Sequence, residues 1–485
     1  MLRTYIARRL ILAIPLSMIM LAACGGSAPP ASQQAQTTAA PAVGQPSAAP
    51  ASAATSAPAA TAAAAQATTA EPAANAGPKP TGEITLWGWK AAMETITKTA
   101  VLEDFQKAYP DVKVNIVLYQ PADVYQKLPL AISAGTGAPD VSLVENSHLA
   151  QFVELGGLTD LTERVRPYLD KMNRYKWDDA MKDGKYYAMP WDSGPVVLYY
   201  RRDVFKKAGL PDDPAKVSEL VATWDDYLNV CKTIKEKAGV DCFAQNKANN
   251  TARLYEMMLW QQGLGYYNDK GEITVDSPEN IATLEKLGEF WKAGLVSDQQ
   301  EWTDGWYAEL ASKDKPIATI VEASWMGVFL KTWIASGTAG DWGVAQMPAM
   351  KAGQVRAAND GGSAFVIPEQ SQNKDAAWAF IEFLLGRDES QLKMFAFSDF
   401  IPSLETTYGA PIFKEADPFF GGQVAREIYA DVVKKVPEAN VYGPHYSQMN
   451  GFVATAIQKY ATGQMSAADA LKEAAESIRQ QTGTS

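Results

Sequence analysis

Between Ile84 and Val144 the chain alternates short apolar runs of period two with longer runs of helical period. Ile84-Thr85-Leu86-Trp87 reads as a strand. Val101, Leu102, Phe105 and Ala108 share one helical face, and Tyr109-Pro110-Asp111 stops that helix. Val112, Val114, Ile116 and Leu118 then alternate with Lys113 and Asn115, the pattern of a half-buried strand. A helix is predicted over 122–133, broken at Gly135 and Gly137, before a third strand at Val141-Ser142-Leu143-Val144. A β-α-β-α-β order with short connections predicts an α/β fold with a mostly parallel sheet and helices on its faces. Ligands of such sheets bind beyond the carboxyl ends of the strands. Here those ends carry Trp87-Gly88-Trp89, Tyr119-Gln120 and Glu145-Asn146-Ser147.

The remainder is richer in helix. Thr223 with Asp226, Ser277 with Pro278, and Ser466 with Asp469 have the residue types of helix starts. Strand-like runs occur at 196–200, 317–321, 342–346 and 364–367. Leu471, Ala475 and Ile478 give the last helix one apolar face. No internal repeat is present. Trp224, Trp291, Trp333 and Trp378 lie in helical patterns and are expected in the core, and Tyr199 and Tyr200 in the core or at a hinge.

Upstream of Thr81 the chain cannot build a core. From Gly25 to Pro80 it is dominated by Ala, Pro, Ser, Thr, Gln and Gly, without a Trp, Tyr or Phe, and Glu71 and Lys79 are its only charges. Such a stretch buries too little apolar surface to offset its ordering entropy. It reads as a tether over 24–80 with a mean reach of about 40 Å. Before it, Arg3, Arg8 and Arg9 precede an apolar run from Leu10 to Ala23. That run falls short of the roughly 20 residues of a bilayer span and has the layout of a signal peptide over 1–23. Leu21-Ala22-Ala23-Cys24-Gly25 resembles the lipobox of bacterial lipoproteins. The resemblance implies cleavage before Cys24, lipidation of its thiol, and a protein exported and held to the cell membrane, facing the periplasm or the cell exterior. In an exported protein, Cys231 and Cys242 are a disulfide candidate, the other reading being two buried thiols.

Charge and motifs narrow the function. Forty-four basic residues against 55 acidic give a net charge of −11, which argues against a nucleic-acid binder. Two histidines and three cysteines offer too few ligands for most zinc or iron–sulfur sites, so no metal and no cofactor is expected. No nucleophile elbow, Walker loop, His-Glu-x-x-His or dinucleotide fingerprint occurs, and Gly361-Gly362-Ser363 lacks the trailing glycine of an elbow. Catalysis is not expected. His148 reads as a surface or hydrogen-bonding residue, and Asp178-Asp179 and Asp212-Asp213 as solvated turn and cap residues. Asn249-Asn250-Thr251 is a glycosylation sequon.

The run Leu128–Leu161, LPLAISAGTGAPDVSLVENSHLAQFVELGGLTDL, resembles a signature of the extracellular solute-binding proteins of ABC importers, in the carbohydrate-binding family typified by maltose-binding protein. The resemblance continues in order. Tyr186-Tyr187-Ala188-Met189-Pro190 comes first, followed by Val197 to Phe205, Lys207-Ala208-Gly209-Leu210 and Thr223-Trp224-Asp225-Asp226. Gly361-Gly362 before Ala364-Phe365-Val366-Ile367, Ala376 to Leu384, and Ala470 to Ala474 complete it. It implies a two-lobed type II-like fold, each lobe a mostly parallel sheet flanked by helices, with lobes at 82–193 plus 348–399 and at 194–347 plus 400–485. Hinge crossings are expected near 192–196, 344–348 and 400–403. A carbohydrate, expected to be an oligosaccharide, would bind between the lobes of a monomer that delivers it to ABC permease subunits.

Sugar recognition needs flat apolar surfaces for the C–H faces and fixed acceptors and donors for the hydroxyls. Trp87, Trp89, Tyr119, Trp191, Trp260, Trp325 and Tyr442 supply the first; Glu145, Asn146, Asp192, Asn246, Glu322 and His445 supply the second. Trp325 resembles a family tryptophan that stacks on sugar, and Gly361 and Gly362 a turn where backbone approaches ligand. Two other readings stay open. One is the same fold with another solute, such as glycerol phosphate, a peptide or a polyamine. The other is an exported glycoside hydrolase with two opposed carboxylates. A receptor that signals through a partner is a weaker third.

Overall fold

The computed structural model describes residues 79–248, 252–268, 270–438 and 442–483. The signal segment, Cys24, the tether up to residue 78 and the sequon lie outside the described residues. In chain order, the strands of the two main sheets and of the passage between them are β1 (Gly82–Gly88), β2 (Val112–Leu118), β3 (Val141–Glu145), β4 (Ala188–Pro190), β5 (Asp192–Ser193), β6 (Val196–Arg201), β7 (Thr319–Ala323), β8 (Trp342–Gln346), β9 (Ser363–Val366) and β10 (Ile401–Pro402).

The first sheet has the order β2-β1-β3-β9-β4. Strands β1, β2 and β3 are parallel, as the crossover helices at Lys90–Thr97, Val101–Ala108 and Pro121–Ala134 require. Strand β9 arrives from late in the chain and pairs antiparallel with β3 and β4. Ile84, Leu86, Val141, Leu143, Phe365 and Phe380 fill the first core. Since β1, β2 and β3 run the same way, Trp89, Tyr119 and Asn146 leave the sheet at one edge.

The second sheet, β7-β6-β8, is antiparallel about β6, where the family resemblance implied a mostly parallel sheet in each lobe. The connection 202–318 explains the difference. It begins and ends at the same edge, so Thr319 pairs with Tyr200 and β7 runs back along β6. Every residue of β6 is buried, and its two faces feed different clusters. Val196, Leu198 and Tyr200 join Trp224, Tyr227 and Phe290; Val197 and Tyr199 join Trp306, Trp342 and Phe420.

Helix Trp224–Ala238 starts with a capping box between Thr223 and Asp226 and ends at Gly239, whose φ of +73° favours glycine. The turn brings Cys242 back to Cys231, and the two form a disulfide. Chain passes between the cores at three places. Strands β5 and β10 pair antiparallel and account for two of them. The third differs from the sequence expectation near 344–348. Val344 lies inside β8, Met347 and Ala358 still belong to the second core, and the chain leaves it through 359–362. The reason is local pairing: Ala349 hydrogen-bonds to Trp224, and Ala358 to Val196. Trp333 also departs from its expected place, being 51% exposed.

Candidate functional site

The carboxyl edge of the first sheet meets the second core along a band of charged and aromatic side chains. Glu145 ends β3 and accepts a hydrogen bond from the Tyr125 hydroxyl at 3.1 Å. Tyr125 stacks on His148 with centroids 3.7 Å apart. Burial pushes the His148 imidazole down to about 4, so it is neutral at physiological pH. Asn146 opens the next helix, Asn146–Leu155; its amide donates to Asp179 at 2.8 Å and accepts from Lys176 at 2.5 Å. Asp192 accepts from the Ser363 amide at 2.8 Å and so ties the first crossing to β9.

From the other side come Arg253, Glu322 and Trp325. Glu322 lies near the end of β7, buried, with Arg253 at 3.3 Å. Arg253 also pairs with Asp360, on the third crossing, and its guanidinium lies 4.9 Å from the Trp325 ring centroid. The Trp325 indole nitrogen donates to the Asp360 carbonyl at 3.1 Å. Gly361 follows with φ +76°; a Cβ there would stand 3.6 Å from Trp325 Nε1 and 3.7 Å from a Glu145 oxygen. One backbone turn therefore touches the charged end of the first sheet and the indole of the second core. Buried Tyr442 sits edge-on to Trp260 at 5.5 Å and makes a backbone hydrogen bond to Asp179.

Burial dominates the electrostatics. It raises the Glu145 carboxyl, and the like charge of Asp360 adds to the effect. It raises Asp192 against the pull of Lys176, and it raises Glu322 strongly against the pull of Arg253. Lys176 and Asp179 form a tightly linked pair: burial lowers the amine and raises the acid. Carboxylates outnumber cations, with Glu145, Asp179, Asp192, Glu322 and Asp360 against Lys176 and Arg253. Two buried polar atoms here, Arg253 Nε and Ser324 Oγ, have no hydrogen-bond partner among the described residues. A chemical partner for this surface must therefore offer both acceptors and donors and an apolar face.

The structure brings Glu145, Asn146, Asp192, Glu322, Trp325, Gly361 and Tyr442 together, with Trp260 behind Tyr442. It places the other predicted residues differently. Trp87 is buried in the first core with Tyr119 packed against its edge at 5.0 Å, and Trp191 is buried against Phe365 and Phe400. Both rings fill the sheet interior, since Trp87 lies within β1 and Trp191 follows β4 directly. Trp89 is half-buried at the start of helix Lys90–Thr97. Gly362 serves the protein's own packing: a Cβ there would lie 2.4 Å from Asp192 O and from Lys176 Nζ. Asn246 holds its own loop, donating to the Asp298 carbonyl and accepting from the Ala248 amide. His445 caps the start of helix Tyr446–Ala461 with its carbonyl.

Sequence reasoning missed Arg253, Asp360, Lys176 and Tyr125, and it took Asp179 for a solvated turn residue. Asp179 is buried because Asn146 and Lys176 supply it with hydrogen bond and charge. A signal for Arg253 existed: with Glu256 it is one of two charges in the apolar helix Arg253–Trp260.

A family model described as bacterial extracellular solute-binding protein matches residues 100–420. A lactose-binding protein of Rhizobium radiobacter is 28% identical over 370 residues, 75% of this chain and 84% of the relative. An arabinooligosaccharide-binding protein of Halalkalibacterium halodurans is 25% identical, covering 82% of this chain and 88% of its own. Among solved structures, an extracellular solute-binding protein of family 1 superposes with a TM-score of 0.72 at 22% identity, covering 82% of this chain and 99% of that one. A B. animalis subsp. lactis ABC-transporter-associated binding protein in complex with β-1,6-galactobiose gives 0.68 at 24% identity, over 83% and 99%. Such structural likeness gives the two-lobed fold. No helix of the described residues is long and apolar enough to cross a membrane.

Proposed function

The chain belongs to the bacterial extracellular solute-binding protein family, and from that premise we propose that it is the carbohydrate receptor of an ABC importer. The lobes are 82–191 with 363–399 and 196–358 with 403–483, and the hinge is the β5–β10 pair with 359–362. The ligand lies between Glu145 and Asn146 on one side and Trp325, Glu322 and Arg253 on the other. The observation that carries this reading is the turn 360–362, whose Asp360 carbonyl accepts the Trp325 indole N–H and whose Gly361 stands where a Cβ would touch both Trp325 and the Glu145 carboxyl. An indole covers a sugar's C–H face, and carboxylates with a guanidinium serve its hydroxyls from fixed positions. The protein binds and releases without catalysing a reaction: the relatives it matches are named as binding proteins, and the carboxylates of the band are paired or hydrogen-bonded within the protein. Cys24 carries a lipid that holds the receptor beside its permease.

The relatives' named sugars supply the first probes. Isothermal titration with lactose, β-1,6-galactobiose and arabino-oligosaccharides should give saturable one-to-one binding of at least one of them. The excess of buried carboxylates favours a polyamine as the second reading, so spermidine belongs in the same experiment. Binding of spermidine with no response to any sugar would overturn the carbohydrate reading. For the anchor, Cys24→Ala should move the protein from the membrane fraction to the soluble exported fraction.

A further inference from the structure

The Trp325 indole is covered in part by three groups of its own chain. Between ring centroids, Phe329 stands 5.6 Å away and Trp302 5.8 Å away, the latter with the ring planes 33° apart. The Arg253 guanidinium lies 4.9 Å from the same centroid. These are the separations of groups in direct contact, so no further ring fits between any of them and Trp325. A sugar laid on the covered part of this indole has to displace one of the three.

Of the three, Trp302 is held least. Phe329 ends the helix Met326–Phe329, one turn beyond Trp325, so the backbone fixes its place. Arg253 is tied by Glu322 at 3.3 Å and by Asp360. Trp302 belongs to neither strand nor helix; it lies in the connection 298–303 between strand Val296–Ser297 and helix Asp304–Ala311. Both ends of that connection are anchored. Asp298 accepts from the Asn246 side chain at its carbonyl and from the Lys247 amide at its carboxylate, the second at 3.1 Å. Trp306, in the first turn of the helix, is buried. Between these anchors the Trp302 indole is 36% exposed. Its backbone adopts φ +63°, a left-handed conformation that costs a bulky residue energy and persists where contacts impose it. Besides Trp325, those contacts are Trp306 at 5.3 Å, the edge of Phe329 at 6.3 Å and Arg253 at 5.8 Å. The preceding residue, Glu301, brings a negative charge that Arg253 favours and the like charge of Glu322 opposes.

We propose that the connection 298–303 is a lid and Trp302 a tethered competitor: the indole and the sugar contend for the same surface of Trp325, and ligand entry swings Trp302 out into solvent. The assignment rests on the carbohydrate reading above and adds a regulation of that site. Trp302 makes no contact that helps the sugar; it lowers affinity and slows association. The apparent affinity is the intrinsic one reduced by the fraction of molecules in which the ring has left Trp325. Departure lets the left-handed backbone relax and separates Glu301 from Glu322, and both offset part of the ring contact that is lost. The two ends of the connection stay in place, so the motion is local and separate from any movement at the hinge.

The test uses the full chain, with calorimetric and stopped-flow titration against lactose, β-1,6-galactobiose and arabino-oligosaccharides. For each sugar that binds, Trp302→Ala, with folding checked by circular dichroism, should bind about 2- to 10-fold more tightly, the range that loss of one aromatic pair sets. The gain should lie in the association rate. Trp302→Phe, which keeps a smaller ring, should fall between the two proteins. Weaker binding by Trp302→Ala would make the ring a sugar contact, and unchanged affinity and rate would make it packing; either result overturns the lid and leaves the inner site standing. A second measurement needs no variant to bind. In the native sequence labelled with 5-fluorotryptophan, and with the Trp302 resonance assigned from Trp302→Phe, saturating sugar should increase the solvent-isotope shift of that resonance. A Trp302 resonance that does not respond to a bound sugar overturns the lid. No binding of any of these sugars by the native protein or by Trp302→Ala overturns the carbohydrate reading and the lid together.

Discussion

The site's chemistry turns on a few residues whose environments were not equally visible in the sequence. Trp325 is the clearest: it follows a strand, and its indole donates to the crossing at Asp360. Trp325→Ala should weaken sugar binding by about 2 kcal/mol or more, roughly 30-fold, as removal of a central aromatic anchor does. Calorimetry at matched circular dichroism checks this, and unchanged affinity would refute the role. Glu256 is a second residue with a measurable signature. Burial pushes its carboxyl up to about 7 although Tyr266, Tyr446 and Asn450 all donate to it. The folded protein then holds a proton that the unfolded chain releases near its ordinary carboxylate value. Stability from this group is fully present below about pH 4.5 and is lost as pH rises through about 7, with a slope of at most about 1.4 kcal/mol per pH unit. Glu256→Gln should flatten the fall in unfolding free energy between pH 5 and pH 7, measured by urea titration at each pH. An identical slope in both proteins excludes a raised Glu256.

At the scale of elements, local rules were legible wherever one principle acted alone. Period-two alternation located β1, β2 and β3, and cap residue types located the helices beginning after Thr223, Ser277 and Ser466. What could not be read was set by contacts between distant segments. The antiparallel sense of β6–β7 depends on where the chain re-enters after more than a hundred residues, and no local pattern records it. Trp333, 51% exposed, lies in the π-helical turn Leu330–Ile334, which the apolar spacing of the sequence does not record. Arg253 and Asp360 meet only because a helix and a crossing strand converge. The disulfide belongs to this scale as well. It staples helix Trp224–Ala238 to the strand-forming segment at Phe243–Ala244 across 11 residues. A loop of that size constrains the unfolded chain by about 3 kcal/mol. Replacing Cys231 and Cys242 together by Ala should lower the unfolding free energy by that order, and reduction of the native protein should match it. A double variant as stable as the native protein under oxidising conditions would show that the bridge contributes nothing.

Across the whole molecule, the conformation described brings the two cores together at helices Asn146–Leu155 and Tyr446–Ala461 and along the charged band. Closing in this way buries the charged band that includes Glu145 and Glu322, and burial favours the acid form of each. Without a ligand the desolvation of these groups opposes closure, and a ligand shifts the balance only by binding the closed form more tightly than the open one. The sign with pH follows from the raised carboxyls. Protons are bound on closing, so acid favours the closed form and neutral pH the open one. Lys176 and Arg253, the cations facing those carboxyls, temper the effect without reversing its direction, and neutral His148 adds no charge. Small-angle scattering should therefore give a larger radius of gyration for the sugar-free protein at pH 7.5 than at pH 5. Saturating sugar at pH 7.5 should bring the radius down to the smaller value. The same sugar at about 100 times its dissociation constant should add about 2.7 kcal/mol to the unfolding free energy by mass action. If the radius is insensitive to both pH and sugar while calorimetry records binding, the sugar enters a preformed site, and the hinge at 359–362 and the β5–β10 pair is not a moving part.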